Sequence, residues 1–251
     1  MKLIRNINGV IETEDFVMPK YDRYHRDEDY IKFEKHFKNI FSKRFEIAKK
    51  YVKKGVVLDV GTSTGAMLDN FTNEGWETWG VEPSENFEIA RAKGHKILHE
   101  EFEEAKLPNN YFDVVIANHV LEHVDDPVVF LKKAERLLKN GGFVLIDAPN
   151  FGGLRSKLYR MHWKYLTPSE HKWHFTKESL SCLFEKVGLE IVGFESRSGL
   201  YEFSDPVAEL LEAFWGRKKR FLTHFWHLPL DTVATLLKKG DSFSLVGSKV
   251  K

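Results

Sequence analysis

The sequence predicts an α/β protein with a doubly wound sheet of seven strands. From residue 56 to residue 197, short apolar runs of strand length alternate with stretches of helical periodicity, a pattern typical of parallel sheets covered by helices. The first run leads into a turn with two glycines and then a helix, which is where open α/β sheets bind small ligands. The 251 residues fit one such domain with additional segments.

Each element is predicted from its own pattern. The strands are predicted at 56–60, 77–81, 96–98, 113–118, 142–148, 189–197 and 242–249. Helices are predicted at 66–74, 84–92, 127–139 and 176–187, with a longer one within 29–51 that Gly55 ends. Thr176 is a good N-cap residue and Gly188 a stop signal, so the bounds of the helix between them are the best defined.

Two segments interrupt the alternation of strands and helices. Residues 149–175 contain adjacent glycines, aromatic residues and three histidines, and we predict a long irregular loop, a feature that is usually functional in a compact domain. Residues 199–240 are predicted to form a helical insertion. Within it, a basic patch at 217–220 is followed by aromatic residues up to 228. This stretch is either a peripheral membrane contact or lid, or a solvated helix end that packs its aromatic residues on the core.

The turn after the first strand indicates a nucleotide-like ligand. Gly61 and Gly65 allow positive φ angles and a close approach of the backbone to a ligand. Asp59 is a poor strand residue, so its place at the strand tip suggests a polar role. Glu82 ends the second strand, where a carboxylate can accept hydrogen bonds from both hydroxyls of a ribose. We therefore predict a cofactor that contains a nucleoside.

The residues that the turn lacks indicate which cofactor this is. Ser63 stands where a dinucleotide fingerprint has the glycine that lets the backbone touch a pyrophosphate. The Gly-Lys-Ser/Thr of a phosphate-binding P-loop occurs nowhere in the chain. S-adenosyl-L-methionine, which has a ribose and no phosphate, fits best. A nicotinamide-dependent oxidoreductase and a non-catalytic protein with a cofactor fold remain the alternatives.

Four motifs, in order, resemble those of the class I S-adenosylmethionine-dependent methyltransferases, in particular their type 11/12/23 small-molecule branch of quinone-type and sugar-type O-methyltransferases. The segments are 58–65, 80–84, 112–124 and 137–146. The resemblance implies a Rossmann-like fold whose last strand is antiparallel. It also implies that residues 1–54 form a helical cap, in which Tyr21, Tyr24 and Tyr30 either line the pocket or pack on the surface, and that residues 55–251 form the cofactor-binding domain.

The same resemblance implies roles for single residues. The cofactor would be held by Asp59, Gly61, Thr62, Gly65, Glu82, Pro83, Glu101, Phe102, Asn118 and His119. A hydroxyl acceptor benefits from a general base with a pKa near neutrality, most often histidine, and our candidates are His123 and His171. A metal role for Glu170, His171 and His174 ranks last, and no metal is predicted. The expected reaction is O-methylation of a small hydroxylated metabolite, sugar or lipid precursor.

Composition limits the remaining possibilities. The chain has 38 Lys and Arg against 37 Asp and Glu, which argues against a nucleic-acid partner. Cys182 is the single cysteine, so no internal disulfide forms, and its helical pattern predicts a buried side chain. Neither a signal-like N-terminus nor a run of transmembrane length is present, so we expect a cytoplasmic enzyme without stable membrane insertion. The oligomeric state is left open.

Overall fold

The computed structural model describes residues 3–5, 9–14, 16–17, 32–167, 169–216 and 219–250. Within helices, the side chains of residues 34, 219–222, 224 and 225 are not described. The predictions for Tyr21, Tyr24 and Tyr30, and for the first half of the basic patch, therefore lie outside the described residues.

Strands and helices alternate as predicted along most of the chain. The strands are β1 (Leu3–Arg5), β2 (Ile11–Thr13), β3 (Val56–Val60), β4 (Glu77–Val81), β5 (Lys96–Leu98), β6 (Phe112–Asn118), β7 (Leu138–Pro149), β8 (Trp173–His174), β9 (Leu189–Arg197) and β10 (Ser242–Lys249). The helices are α1 (Glu34–Lys49), α2 (Ala66–Asn73), α3 (Phe87–Ala92), α4 (Pro127–Leu137), α5 (Leu154–Tyr159), α6 (Lys177–Lys186), α7 (Pro206–Trp215) and α8 (Lys219–Leu236).

The central sheet has seven strands in the order β5-β4-β3-β6-β7-β10-β9. The pairs from β5 to β7 are parallel, whereas β10 pairs antiparallel with both β7 and β9. This arrangement confirms the predicted doubly wound, Rossmann-like sheet with an antiparallel last strand. The strand order reverses between β3 and β6, and in such sheets the crevice at that point binds ligands.

Helices cover both faces of the sheet. On one face, Phe45 of α1 meets Phe71 of α2 with ring centroids 4.8 Å apart, and both rings lie in one apolar cluster with Val57 and Leu145 of the sheet. On the other face, α4 and α6 contribute to the larger cluster, with Phe130 among its members. Burial of these side chains is the main source of stability, because each large apolar group contributes roughly 1.5–3 kcal/mol.

Helix capping confirms the predicted start of α6. The Thr176 hydroxyl accepts the Ser179 N–H at 3.1 Å, and the Ser179 hydroxyl accepts the Thr176 N–H at 3.0 Å, which forms a reciprocal capping box. Gly188 follows the helix with a φ of 83°, as a stop residue does. Helix α4 begins in the same way, because the Asp126 carboxylate accepts the Val128 N–H at 2.7 Å.

The N-terminal region differs from the prediction of a purely helical cap. The helix predicted within 29–51 is confirmed as α1, but β1 and β2 form a hairpin for which the sequence analysis assigned no strand. Strand β2 also pairs with β8, which places Ile11 opposite His174 in a second sheet of three strands. Strands of three residues carry too little periodicity to be recognised, and their partner lies about 160 positions along the chain.

Two further predictions need correction. Residues 149–175 are not wholly irregular, because they contain α5, a 3₁₀ turn at Arg160–His162 and β8. Cys182 is exposed rather than buried, since the apolar contacts of α6 are made by neighbouring positions such as Leu180 and Leu183. The predicted helical insertion is confirmed: a 3₁₀ turn at Gly199–Glu202 precedes α7 and α8. No helix in the described part of the chain is long and apolar enough to cross a membrane.

Candidate active site

The turn between β3 and α2 has the backbone that the sequence predicts for a cofactor loop. Gly61 and Gly65 have φ angles of 71° and 75°, in the left-handed region that favours glycine. A Cβ on Gly61 would lie 2.6 Å from Cγ2 of Val120, so this position has no room for a side chain. Thr62 is buried, and its side-chain hydrogen bond to Asp59 opposes the rise in the pKa of that carboxyl. The loop therefore allows a close approach of its backbone to a ligand.

Glu82 is held against this loop. Its side chain is 7% exposed. Its Oε2 accepts the Ser63 N–H at 2.6 Å, and its Oε1 accepts the Ser84 N–H at 2.9 Å. Because each carboxylate oxygen has two lone pairs, both oxygens keep the capacity to accept a further hydroxyl. Asp59 lies nearby, and burial together with the Glu82 charge raises its pKa to about 7.

The predicted cofactor residues after β4 lie in different surroundings. The Pro83 carbonyl accepts a hydrogen bond from His99 Nε2 at 2.9 Å. The Phe102 ring is buried in the core and packs on Phe130 at a centroid distance of 4.6 Å, while Glu101 is exposed beside it. The core position of the Phe102 ring leaves its backbone as the part that can face a ligand. Cofactor contacts at these three residues stay predictions.

Asn118 and His119 lie at the carboxyl end of β6, just before Val120, whose side chain faces Gly61 of the cofactor loop. His119 has a φ of 56°, an uncommon conformation for a histidine and one that concentrates at functional sites. Its Nδ1 lies 3.1 Å from Glu122 Oε1, and its Nε2 lies 3.6 Å from Asp147 Oδ1. The backbone thus presents the imidazole at the strand tip between two carboxylates.

A buried network of charges, which the sequence analysis missed, supports this strand tip. Arg44 of α1 lies 3.0 Å from Asp147 Oδ1 and 2.9 Å from Glu202 Oε2, and its Nε donates to Asn118 Oδ1 at 3.3 Å. Arg197 pairs with the same two carboxylates. Arg44, Asp147 and Arg197 are each at most 2% exposed. Two sequence signals were available: Asp147 near the end of a buried strand, and Arg44 on the apolar face of α1.

The network sets the charge state of its members. Burial favours neutral Asp147, but the Arg197 and Arg44 charges outweigh it and lower the pKa of this carboxyl to about 2. Burial likewise opposes the charge on Glu122, yet the His119 hydrogen bond and the nearby histidines lower its pKa to about 2. The pKa of His119 is raised, because the Glu122 hydrogen bond and charge exceed the opposing effect of burial. Both carboxylates therefore remain ionised at neutral pH.

The two candidate bases lie side by side. His123 and His171 have ring centroids 4.8 Å apart, although 48 positions separate them. The Nδ1 atoms lie 2.8 Å and 3.1 Å from the carbonyl oxygens of Glu170 and Tyr165, respectively. Burial lowers the pKa of His171 to about 3, so this imidazole is neutral at physiological pH and a weaker proton acceptor than an ideal base. Neither catalytic role is tested by the geometry, and both stay predictions.

His174 has a structural role. Its Nε2 lies 3.0 Å from Thr13 Oγ1, whose own hydrogen is donated to the His171 carbonyl. The imidazole therefore donates to the threonine and ties β8 to the N-terminal hairpin. Its Nε2 is thus occupied, so the metal group of Glu170, His171 and His174 considered from sequence does not form as a unit. Instead, Glu122, His123 and His171 bring their ligand atoms within 4.8 Å of one another.

A cavity of about 970 Å³ lies away from this strand edge. Residues 150–152 and the start of α6 line it, together with Lys157, Arg160 and Lys239. It contains none of the residues predicted to bind the cofactor or to act as a base. The candidate site is therefore defined by the chemistry at the ends of β3, β4 and β6 rather than by this cavity.

Comparisons with known proteins agree with the fold and the motifs. A model of the methyltransferase domain family matches residues 32–193. The ubiquinone biosynthesis O-methyltransferase of Nitrobacter winogradskyi is 30% identical over 165 residues, which cover 57% of this chain and 59% of that protein. The chain thus spans less than two thirds of that relative.

Two solved structures have a similar fold. An S-adenosylmethionine-dependent methyltransferase from Archaeoglobus fulgidus has a TM-score of 0.61 at 22% identity, over 88% of this chain and 99% of that one. Phosphoethanolamine N-methyltransferase 2 of Haemonchus contortus, in complex with S-adenosyl-L-methionine, has a TM-score of 0.58 at 19% identity, over 84% of this chain and 53% of that one.

The fold and the family match together define an S-adenosylmethionine-dependent methyltransferase domain, in which S-adenosyl-L-methionine is the cofactor. The family match extends over more than half of the chain, and the chain belongs to the methyltransferase domain family. The predictions of family and cofactor are confirmed, and this result favours them over the nicotinamide-dependent alternative.

Proposed function

We propose that the protein transfers a methyl group to a hydroxyl of a small metabolite, sugar or lipid precursor. The observation that carries the proposal is the polar strand edge beside the cofactor loop, where His119, Glu122, His123 and His171 meet. These groups suit a hydroxyl acceptor, because a hydroxyl must lose its proton as it is methylated and imidazoles are the side chains that most often accept it. The name of the Nitrobacter relative, an O-methyltransferase of ubiquinone biosynthesis, supports the same chemistry.

The cofactor loop fits S-adenosyl-L-methionine. Gly61 has the positive φ that allows a close approach of the backbone to a ligand, and Glu82 keeps lone pairs on both of its carboxylate oxygens. Gly61, Thr62 and Gly65 would hold the cofactor by their backbone, and Glu82 would accept the ribose hydroxyls. When bound, the cofactor supplies a methyl group activated by a positive sulfur, and S-adenosyl-L-homocysteine is the product.

The residues of the strand edge would then orient the acceptor. Methyl transfer needs the acceptor oxygen aligned with the methyl group at about 3–3.5 Å, so positioning accounts for much of the rate. Asn118 and His119 are fixed by Arg44, Glu122 and Asp147, which gives the edge a rigid support. The acceptor hydroxyl must also lose its proton, and His123 and His171 are the predicted groups beside it.

An acceptor screen tests this proposal. The purified chain is incubated with S-adenosyl-L-methionine and matched pairs of small compounds, each pair differing only in a hydroxyl or an amine. Formation of S-adenosyl-L-homocysteine is followed together with a product mass increased by one methylene. We expect turnover with hydroxyl compounds, diphenols and sugars included, and little with the amines. Turnover confined to the amines would show that the proposed acceptor class is wrong.

A further inference from the structure

The cavity of about 970 Å³ lies among β1, β2, α5, the start of α6 and the segment that follows α8. Its volume is at the upper end of the range for sites that hold one small molecule, about 300–1,000 Å³. None of the residues predicted to hold the cofactor or to act as a base lines it. The cavity is therefore a second candidate site, separate from the one at the tips of β3, β4 and β6.

The lining of this cavity is strongly cationic. One carboxylate, that of Glu178, stands against five positive side chains, which are those of Lys157, Arg160, Lys177, Lys238 and Lys239. None of the five forms an ion pair with a carboxylate in the described part of the chain. The whole chain is nearly balanced, with 38 Lys and Arg against 37 Asp and Glu. The positive charge is thus concentrated at this cavity, and its field favours an anion.

Two of these cations occupy backbone positions that are unfavourable for their residue types. Helix α8 ends in a Schellman motif, in which the Lys239 N–H donates to the Ala234 carbonyl at 2.7 Å and the Lys238 N–H donates to the Thr235 carbonyl at 2.9 Å. Lys238 has a φ of 55° at the position of this motif where glycine or asparagine is usual. Arg160 has a φ of 50°. Such conformations are strained for residues with long side chains and concentrate at functional sites.

Apolar side chains share the lining with these charges. The Lys177 ammonium lies 4.9 Å from the centroid of the Phe194 ring, so a charge and an aromatic face adjoin directly. Other large apolar members of the lining include Ile11, Phe151, Met161, Leu166 and Leu237. A small inorganic anion would leave these side chains in water, whereas a ligand with an apolar part covers them.

The first turn of α6 adds backbone donors to the cavity wall. The capping box uses the Ser179 N–H, and the Leu180 N–H donates to the Thr176 carbonyl at 3.0 Å. The N–H groups of Lys177 and Glu178 come earlier in the helix and have no partner within it. Helix N-termini with such N–H groups favour phosphate groups, and here the cations supply the matching charge.

We propose that this cavity binds a soluble phosphate monoester that has an apolar chain or ring system. A phosphate monoester carries about two negative charges at neutral pH and three strong acceptor oxygens, which match several cations better than a single carboxylate does. The concave shape favours one dissolved molecule over the flat surface of a membrane. The inference does not depend on the methyl transfer proposed above, because the two sites share no residue.

Octyl phosphate is the probe, and octanol and inorganic phosphate each represent one part of it. Calorimetric titration of the full chain should show one octyl phosphate per chain. Each partial probe should bind at least about tenfold more weakly, since octanol lacks the charge and inorganic phosphate lacks the apolar chain. Cys182 is the single cysteine, is exposed and lines the cavity. Bound octyl phosphate should therefore slow the alkylation of Cys182 by iodoacetamide.

Substitutions of the cations test the site without disturbing the fold. Asparagine tolerates the left-handed conformation, so Lys238→Asn should keep or raise the melting temperature while octyl phosphate affinity falls by about tenfold. Arg160→Gln should weaken binding by a similar factor. Lys132→Gln is the matched control, because Lys132 is an exposed lysine of α4 that does not line the cavity. It should bind octyl phosphate like the wild type.

Vesicles distinguish a dissolved phosphate ester from a lipid headgroup. In sedimentation with phosphatidylcholine vesicles, with and without phosphatidylglycerol, we expect no binding of the protein to either. Binding to the phosphatidylglycerol vesicles without binding of octyl phosphate would assign the cationic surface to a membrane instead. The proposal would also be overturned by a wild-type chain that does not bind octyl phosphate, by a partial probe that binds equally well, by Cys182 that stays unprotected, or by unchanged affinity in both cavity variants.

Discussion

The two halves of the candidate site are built in different ways. The cofactor half depends on residues 59–84, where backbone N–H groups meet one carboxylate and two glycines have positive φ angles. The acceptor half is assembled from side chains of α1, the tips of β6, β7 and β9, the turn at Gly199–Glu202 and the segment before β8. One half is thus encoded locally, and the other exists only after distant parts of the chain have come together.

This difference teaches where a sequence motif is informative. A glycine-bearing turn between a strand and a helix can be recognised from a few consecutive residues, because glycine allows the positive φ angles that the turn requires. A buried charge network has no such local rule. Its members are separated by up to about 160 residues, and each would be unfavourable without the others.

The largest effect is expected from a substitution in the buried charge network, and it concerns the free energy of unfolding. Asp147→Ala leaves Arg44 and Arg197 buried with only Glu202 to compensate their charges, and we expect a loss of about 3–5 kcal/mol in the free energy of unfolding. Glu195→Ala is the control, since Glu195 pairs with Lys50 on the surface and should contribute below about 1 kcal/mol. Urea denaturation measures both. Equal losses in the two variants would show that the network does not stabilise the fold.

A smaller effect is expected from Glu82, the proposed ribose ligand of the local half. Glu82→Ala removes an acceptor for the cofactor and should weaken S-adenosyl-L-homocysteine binding by about tenfold or more, since a hydrogen bond to a charged group contributes roughly 1.5–3 kcal/mol. Calorimetric titration measures the affinity. Glu85→Ala, an exposed carboxylate three positions further on, should bind like the wild type. Unchanged affinity in Glu82→Ala would remove Glu82 from the cofactor site.

Two glycine variants distinguish the effect of general backbone strain on cofactor affinity from the effect of a change in the cofactor loop. Gly61→Ala meets both a φ of 71° and a contact of 2.6 Å with Val120, so cofactor affinity should fall by about fivefold to tenfold, equivalent to roughly 1–1.4 kcal/mol. Gly94→Ala has a φ of 94° but no atom within 4 Å, and it should reduce stability while leaving the affinity unchanged. The two variants are compared by the same titration. An affinity loss in Gly94→Ala would show that general strain, not the loop, controls binding.

The fourth effect depends on pH and concerns the buried acid at the tip of β3. The pKa of Asp59 is about 7 in the folded protein against an ordinary value of 3.8, so the folded state holds this proton more tightly and loses stability as pH rises from about 4 to 7. Asp59→Asn cannot ionise and escapes this loss. Its free energy of unfolding should exceed that of the wild type by about 4 kcal/mol at pH 8, since each unit of pKa shift is equivalent to about 1.4 kcal/mol, and should converge with it near pH 4. A difference that does not change with pH would contradict the assignment.

How much was predictable can be judged from single elements. Strands β3, β4 and β5 begin and end where the sequence analysis placed them, because apolar runs of strand length between glycines and helical patterns specify buried strands. The start of α6 followed from the capping chemistry of Thr176. The hairpin β1–β2 did not, since its two short strands carry no pattern of their own and are stabilised by pairing with each other and, for β2, with β8.

For this protein, the sequence by itself determined the sheet, the glycine-bearing turn after β3, the position of Glu82 at the end of β4 and the family. These features depend on periodicity, on glycine conformations and on spacings of a few residues, all of which are local properties of the chain. Only the tertiary structure decided that Arg44 and Arg197 share Asp147, that Cys182 is exposed, and that Glu122 meets His123 and His171. The physical reason is that burial, charge pairing and ligand geometry arise from side chains that the fold brings together from distant positions.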